Sequence, residues 1–247
     1  MIERIILLAQ HRFTLRDYQR LGVEILKRNG FKVEVWDMED ILYPHLLKAA
    51  VSRNSYNYEG LRIFYSKKYA RRKLTALSDK DFVMTSVGYN FKTLWIYKAM
   101  SRSNANYAVR YISALPISCI KKSLLERVRY LLGFRRLDAW KALFMKLPFC
   151  YLGVRPATFI ICGGNNWHQH KYYHRFPVDK STEILRAHTL DYDIYLKKKN
   201  TSSDVRPIAA FLDEFVPYHP DQLRFGLGHK VNAEKYYSLL NRERNWF

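Results

Sequence analysis

Apolar residues come in short blocks along this chain, and the spacing within each block changes from one to the next. Ile5-Ile6-Leu7-Leu8-Ala9 is a continuous apolar run, the pattern of a strand covered on both faces. From Arg16 to Asn29 the period becomes helical. Leu21, Ile25 and Leu26 repeat on one side, Asp17 stands near the start, and Gly30 follows as a stop; an early acid and a terminal glycine suit the two ends of a helix. Phe31 to Trp36 alternates and predicts a second strand. Ile5 to Trp36 is therefore one βαβ unit of about thirty residues. The theme returns as a strand over Asp81–Tyr89, a helix over Phe91–Met100 and a strand over Tyr107–Ala114. Ala157–Cys162, closed by Gly163-Gly164, the short Glu183-Ile184-Leu185 and Ile208–Phe215 complete the strands. Strands alternating with helices imply a mostly parallel sheet with helices on both faces. The expected fold is α/β and Rossmann-like. No internal repeat or low-complexity tract interrupts it, and the closest thing to a linker is the polar loop 200–204.

Composition sharpens this reading mainly through charge. The 247 residues are 48% hydrophobic and 15% aromatic, enough for a core and unlike a disordered chain. Lys and Arg number 42 against 22 Asp and Glu, a net charge of +20. Cys119, Cys150 and Cys162 form no CxxC pair and are odd in number, which argues against a disulfide framework and a zinc finger. The N-terminal apolar run falls far short of the ~20 residues of a spanning helix. It also lacks the layout of a signal peptide, so it reads as a buried first strand in a cytoplasmic protein.

The basic residues concentrate in two stretches. Residues 60–78 carry Arg62, Lys67, Lys68, Arg71, Arg72 and Lys73 with no acid. Residues 116–147 hold two amphipathic patterns broken at Gly133: Ile120, Leu124, Val128 and Leu131, then Leu137, Trp140, Phe144 and Leu147. Lys121, Lys122, Arg129, Arg135, Arg136 and Lys141 fall on their polar sides. Such helices either pack on the sheet with their charges in water or lie on an anionic membrane surface. Nucleic acid is a third explanation for basic charge, but no RNP aromatic pair, GXXG clamp or zinc-finger spacing occurs, and no specific nucleic-acid partner is expected.

Candidate chemistry falls at strand ends, where open α/β sheets bind their ligands. The first such loop contains His11 and Arg12 but no glycine, which disfavours an ordinary dinucleotide site there. Gly88-Tyr89-Asn90 and Gly163-Gly164-Asn165 are further loops of this kind, suited to a phosphate or a sugar. His188, Asp191 and Asp193 follow the strand around Ile184. Asp213, Glu214 and His219 end the last strand, in a loop stiffened by Pro217 and Pro220. Acids and histidines so placed are general-base candidates. Helix capping is the other reading of Asp191, and loop capping or ion pairing that of Asp213 and Glu214. A parallel sheet points all these ends one way, so His11, Gly88, Gly163, His188 and Asp213 are predicted to share one rim. His168, His170 and His174 have neither an HExxH frame nor a nearby carboxylate; they read as a surface loop, and no metal is expected.

Several segments together carry a family resemblance. They are Arg16-Asp17-Tyr18, GVEILKRNGFKVEVWDM (22–38), AHTLDYDIYL (187–196), FLDEFVPYHPD (211–221) and AEKYYSLLN (233–241). The chain resembles bacterial surface-polysaccharide (capsule and O-antigen) biosynthesis proteins similar to GT-B glycosyltransferases. The resemblance implies transfer of a sugar from a nucleotide-sugar donor to a cell-surface glycan or its lipid-linked precursor, with no tightly bound cofactor. A carboxylate or histidine would deprotonate the acceptor, with dipoles and cations stabilising the donor phosphate. Asp213, Glu214 and His219 lead the candidates for that base, before His188, Asp191 and Asp193. His11, Arg12, Gly88, Tyr89, Asn90, Gly163, Gly164 and Asn165 would line the substrate site.

Relatives of this type continue into a second Rossmann-like domain. The resemblance thus implies an N-terminal half, with residues 1–230 as the acceptor-side domain, 116–147 as a basic helical insertion and 231–247 as the start of a linker helix. A lipid-linked acceptor would account for that insertion. It implies a peripheral protein on the inner face of the cell membrane, touching it through Lys121, Lys122, Arg129, Arg135, Arg136, Trp140 and Lys141. The opposing class is a non-catalytic basic module for a membrane surface or polyanion. A nucleotide-sugar-modifying enzyme is a further alternative, disfavoured by the missing glycine fingerprint.

Overall fold

A computed structural model describes residues 1–47, 55–111, 144, 145, 147–163, 176–188, 192, 193, 195, 196, 199, 217 and 232–244. Seven strands form one sheet: β1 (Arg4–Ala9), β2 (Lys32–Asp37), β3 (Leu61–Ile63), β4 (Asp81–Thr85), β5 (Asn106–Tyr111), β6 (Phe159–Cys162) and β7 (Glu183–Arg186). Their spatial order is β3-β2-β1-β4-β5-β6-β7, and every pairing is parallel. The chain builds from β1 out to β3, then returns to the other side of β1 and builds the opposite way. This is the doubly wound Rossmann-like arrangement, with its topological switch point between β1 and β4. The expected fold class is therefore the observed one.

Strand patterning assigns the two faces. Ile6, Leu8, Trp36, Val83, Val109 and Ile160 point to one side and are buried there. They lie under α3 (Glu39–Leu42), α4 (Lys67–Thr75) and α5 (Leu94–Ser101). Ile5, Leu7, Val33 and Val35 alternate with them and point to the other side. Phe13 and Val23 cover that second cluster, the latter from α2 (Val23–Arg28), which follows α1 (Leu15–Arg20).

Several elements differ from expectation for identifiable reasons. The helix expected over Arg16–Asn29 is two short helices, because Gly22 takes a left-handed φ of 63° between them, a conformation glycine adopts without steric cost. The first starts at a capping box in which Thr14 and Asp17 satisfy each other's backbone N–H. The strand expected to reach Tyr89 ends at Thr85, whose Oγ1 accepts the Val87 N–H (3.0 Å) and turns the chain. Helix α5 begins at Leu94 instead of Phe91, since Asn90 Oδ1 accepts the N–H groups of Lys92 and Thr93 and holds a turn before it. β3, α3, α4 and a 3-10 turn at Pro44–Leu47 were not expected from the sequence. Helix α6 (Ala233–Arg244) begins where the linker helix was expected. The strand Ile208–Phe215, the histidines 168–174 and all of 116–147 except Phe144, Met145 and Leu147 lie outside the described residues.

Candidate functional site at the switch point

The loops after β1 and β4 meet where the sheet order reverses. Gln10 joins them: its Oε1 accepts the Gly88 N–H at 2.7 Å, and its Nε2 donates to the Tyr43 hydroxyl at 2.5 Å. One amide thus links β1, the segment after α3, and the β4–α5 loop. The His11 ring stacks on Tyr43, with centroids 5.8 Å apart and planes 18° apart. On the same phenol ring lies the Lys92 ammonium, 4.3 Å from the centroid, and partial burial lowers its pKa from the usual lysine value. Tyr89 stands edge-on to Tyr97 at 5.0 Å. Its hydroxyl is buried and has no hydrogen-bond partner among the described residues. Burial pushes this phenol up to about 12, so at neutral pH it keeps its proton as a donor. His11, Gly88, Tyr89 and Asn90 are therefore brought together as expected, and Gln10, Tyr43 and Lys92 join them.

Arg12 is placed differently. Its Nη2 donates to both carboxylate oxygens of Asp40, at 2.8 and 2.9 Å. Asp37 lies 3.5 Å from Nη1, and Glu39 lies 3.5 Å from Nε. The guanidinium is thus engaged by three buried acids and not turned to a ligand. Asp37 also accepts N–H groups from Phe13 (3.1 Å) and Glu39 (2.9 Å). Burial nonetheless pushes its carboxyl up to about 6, outweighing those hydrogen bonds and the Arg12 charge. An acid at the end of the second strand holds the ribose in dinucleotide-binding relatives of this fold. In this chain that position is satisfied internally, which accords with the missing glycine fingerprint.

The other strand ends face the same rim at greater distance. Gly163 follows β6 and His188 lies just past β7. Strands in a sheet are about 4.8 Å apart, which puts these ends about 10 and 14 Å along the rim from β4. They share its direction but do not converge on the β1/β4 crevice. His188 has its own partner: Nδ1 lies 3.5 Å from Asp193 Oδ1, and Tyr192 stands edge-on to the ring at 5.3 Å. Both members are well exposed, at 58% and 44%. A carboxylate beside an imidazole nitrogen is the arrangement of a general base and its orienting acid. Gly164, Asn165, Asp191, Asp213, Glu214 and His219 lie outside the described residues, as do Lys121, Lys122, Arg129, Arg135, Arg136, Trp140 and Lys141.

Sequence reasoning passed over Arg110. It sits near the end of β5, between the crevice and β7, and its Nη1 donates to Ser86 Oγ at 3.1 Å. Burial, reinforced by the nearby Arg20 charge, lowers its pKa from the usual guanidinium value, so an anion beside it would be favoured. The one available signal was a charge inside the otherwise uncharged strand NYAVRY. Among the described residues, no group of three or more acids, histidines or cysteines is placed to hold a metal ion. No described helix is long and apolar enough to cross a membrane.

The fold and this rim define the chain as a Rossmann-like α/β protein with its candidate site at the switch point. Comparison with known proteins returns no match to any family model, curated protein or solved structure.

Proposed function

We propose that the protein is a GT-B-type glycosyltransferase in which the rim of this sheet meets both the acceptor and the donor phosphates. It moves a sugar from a nucleotide-sugar donor to a cell-surface glycan or its lipid-linked precursor at the inner face of the cell membrane. The observation that carries this reading is the make-up of the switch-point rim. Amide, imidazole, phenol and ammonium groups from Gln10, His11, Tyr89, Asn90 and Lys92 gather where this fold class binds ligands. Such groups recognise hydroxyl-rich rings and phosphate oxygens.

Arg110, one strand further along, supplies a cation for the donor phosphates. His188, oriented by Asp193 beside Nδ1, takes the acceptor hydroxyl proton. The acceptor oxygen then bonds to the anomeric carbon. The bond from that carbon to the diphosphate breaks, and the nucleoside diphosphate leaves with the electron pair. Asp213, Glu214 and His219 remain alternative bases in this scheme.

The test incubates the protein with a panel of nucleotide sugars and a bacterial lipid-linked glycan fraction, and follows nucleotide release. Release that depends on acceptor is expected. His188→Asn should lower it by about 10²–10⁴ while leaving the melting temperature unchanged. No release and no binding of any nucleotide sugar would contradict the reading and favour a non-catalytic module. Normal release in the variant would move the base to Asp213, Glu214 or His219.

A further inference from the structure

Helices α4 and α5 lie side by side on the sheet face opposite α1 and α2. Helix α4 buries Ala70 and Leu74 and leaves Lys67, Lys68, Arg71, Arg72 and Lys73 outside, with no acid anywhere in 60–78. Helix α5 buries six of its residues and leaves Lys98 at the surface, with Arg102 just beyond its end. Where the two meet, Arg71, Trp95, Lys98, Ala99 and Arg102 line a pocket of about 100 Å³. The Lys67 ammonium is 5.4 Å from the Trp95 ring centroid. Lys67 with Arg71, and Lys98 with Arg102, are like charges one helical turn apart, which destabilises a helix. Neither Arg71, Lys98 nor Arg102 is in an ion pair among the described residues. A cluster that repels itself and holds no counter-ion among the described residues is complementary to an anion.

We propose that this pocket takes a phosphoryl group, and that the α4–α5 face docks the protein on the phosphate headgroups of an anionic bilayer. The pocket is well below the roughly 300–1,000 Å³ of sites for larger ligands, so it suits one phosphate and not a nucleotide or glycan. Arginine presents a planar fork that matches phosphate geometry. The bilayer is the favoured source because the charge continues past the pocket. Lys68 and Arg72 lie outside it, together with exposed Tyr65 and Tyr69. A single soluble phosphate would leave these untouched, whereas a plane of headgroups meets them all, and tyrosine suits a boundary that is apolar on one side and wet on the other. This inference does not depend on the sugar-transfer reading or on residues 116–147.

Sedimentation with vesicles tests it. Phosphatidylcholine vesicles are compared with vesicles of phosphatidylcholine and phosphatidic acid in equal parts. Binding is expected only to the second kind. Replacing Arg71, Lys98 and Arg102 by Gln should weaken it on the order of a hundredfold. A control replacing Arg20, Lys27 and Arg28 by Gln removes the same charge from the opposite face, on α1 and α2, more than a Debye length of ~8 Å away, and should weaken it less than about twofold. Unchanged melting temperatures in both triples show that each still folds. Equal losses in the two triples, or no vesicle binding at all, overturn the proposal. So does displacement by millimolar inorganic phosphate, which would assign the pocket to a soluble ion. Binding of a single-stranded oligonucleotide that beats vesicle binding would assign the face to nucleic acid instead. Loss of sugar transfer with vesicle binding intact would leave this inference standing and remove only the catalytic one.

Discussion

Two groups of cations in this molecule do opposite things. Arg12 is 12% exposed and faces Asp37, Glu39 and Asp40. The cations of α4 and α5 are mostly exposed and, around the pocket, face one another. Side-chain chemistry is shared; the supply of acids and water differs. Around Arg12, three carboxylates crowd a dry corner between the ends of β1 and β2. There the guanidinium is structural, because removing it leaves negative charges in a place that water cannot reach. On α4, water screens the repulsion and no carboxylate among the described residues pairs with the pocket cations, so they are available to a partner. Arg4 falls between these extremes, at 29% exposed, with Asp81 at 2.7 Å and Glu34 at 3.3 Å.

This contrast orders the expected costs of mutation. Arg12→Met strips three buried acids of their shared cation and should destabilise the fold by about 3–5 kcal/mol in denaturant titration. A cost under ~1 kcal/mol would erase the distinction between the two groups.

Acidity tests the same corner from the carboxylate side. The folded-state pKa of Asp37, raised to about 6, lies above the ~3.9 of an unfolded aspartate. Its ionisation therefore favours the unfolded chain. The stability it contributes is full below pH ~4 and is lost as pH rises through about 6, a change on the order of 2–3 kcal/mol. Glu34 and Asp81, whose pKa values are lowered chiefly by hydrogen bonds and nearby arginines that outweigh burial, act in the opposite direction. The clean measurement is therefore the stability of the wild type minus that of Asp37→Asn. That difference should fall between pH ~4 and ~7; a flat or rising difference contradicts the placement of Asp37.

Arg4→Met should cost an intermediate ~1–3 kcal/mol, the usual range for a hydrogen bond to a charged group. Parity with Arg12→Met would show that burial matters less than the number of acids. The smallest effect belongs to Arg71→Met on α4, expected within about 0.5 kcal/mol of wild type. A large loss there would mean that this cation also holds the fold.

Much of this architecture was legible beforehand, in proportion to the length of each element. The runs at Ile5–Ala9 and Phe31–Trp36 carry enough apolar residues to specify β1 and β2. The three residues of β3 and four of α3 contain little more than one period of a strand or helix pattern, too little to stand out. The break at Gly22 was hidden because helix formers flank it on both sides. Strand order was not legible, since it depends on which way each crossover packs. At the site, His11 and Gly88–Asn90 were visible as strand-end loops, a property of position along the chain. Tyr43 and Lys92 were not, because they meet His11 only through the folding of α3 and the β4–α5 turn. Arg12 looked available for a ligand in the sequence, where nothing tells that Asp37 and Asp40 fold back on it.

The sugar-transfer reading depends on where a donor sits. Backbone amide and arginine side-chain NMR shifts, followed while a nucleotide sugar from the panel is titrated in, locate it residue by residue. The expected result is saturable change at Gln10, His11, Gly88, Tyr89, Asn90 and Arg110, with α1, α2 and the α4–α5 pocket unmoved. Saturable change confined to Arg71, Lys98 and Arg102, or none at the β1/β4 rim at saturating donor, would contradict it.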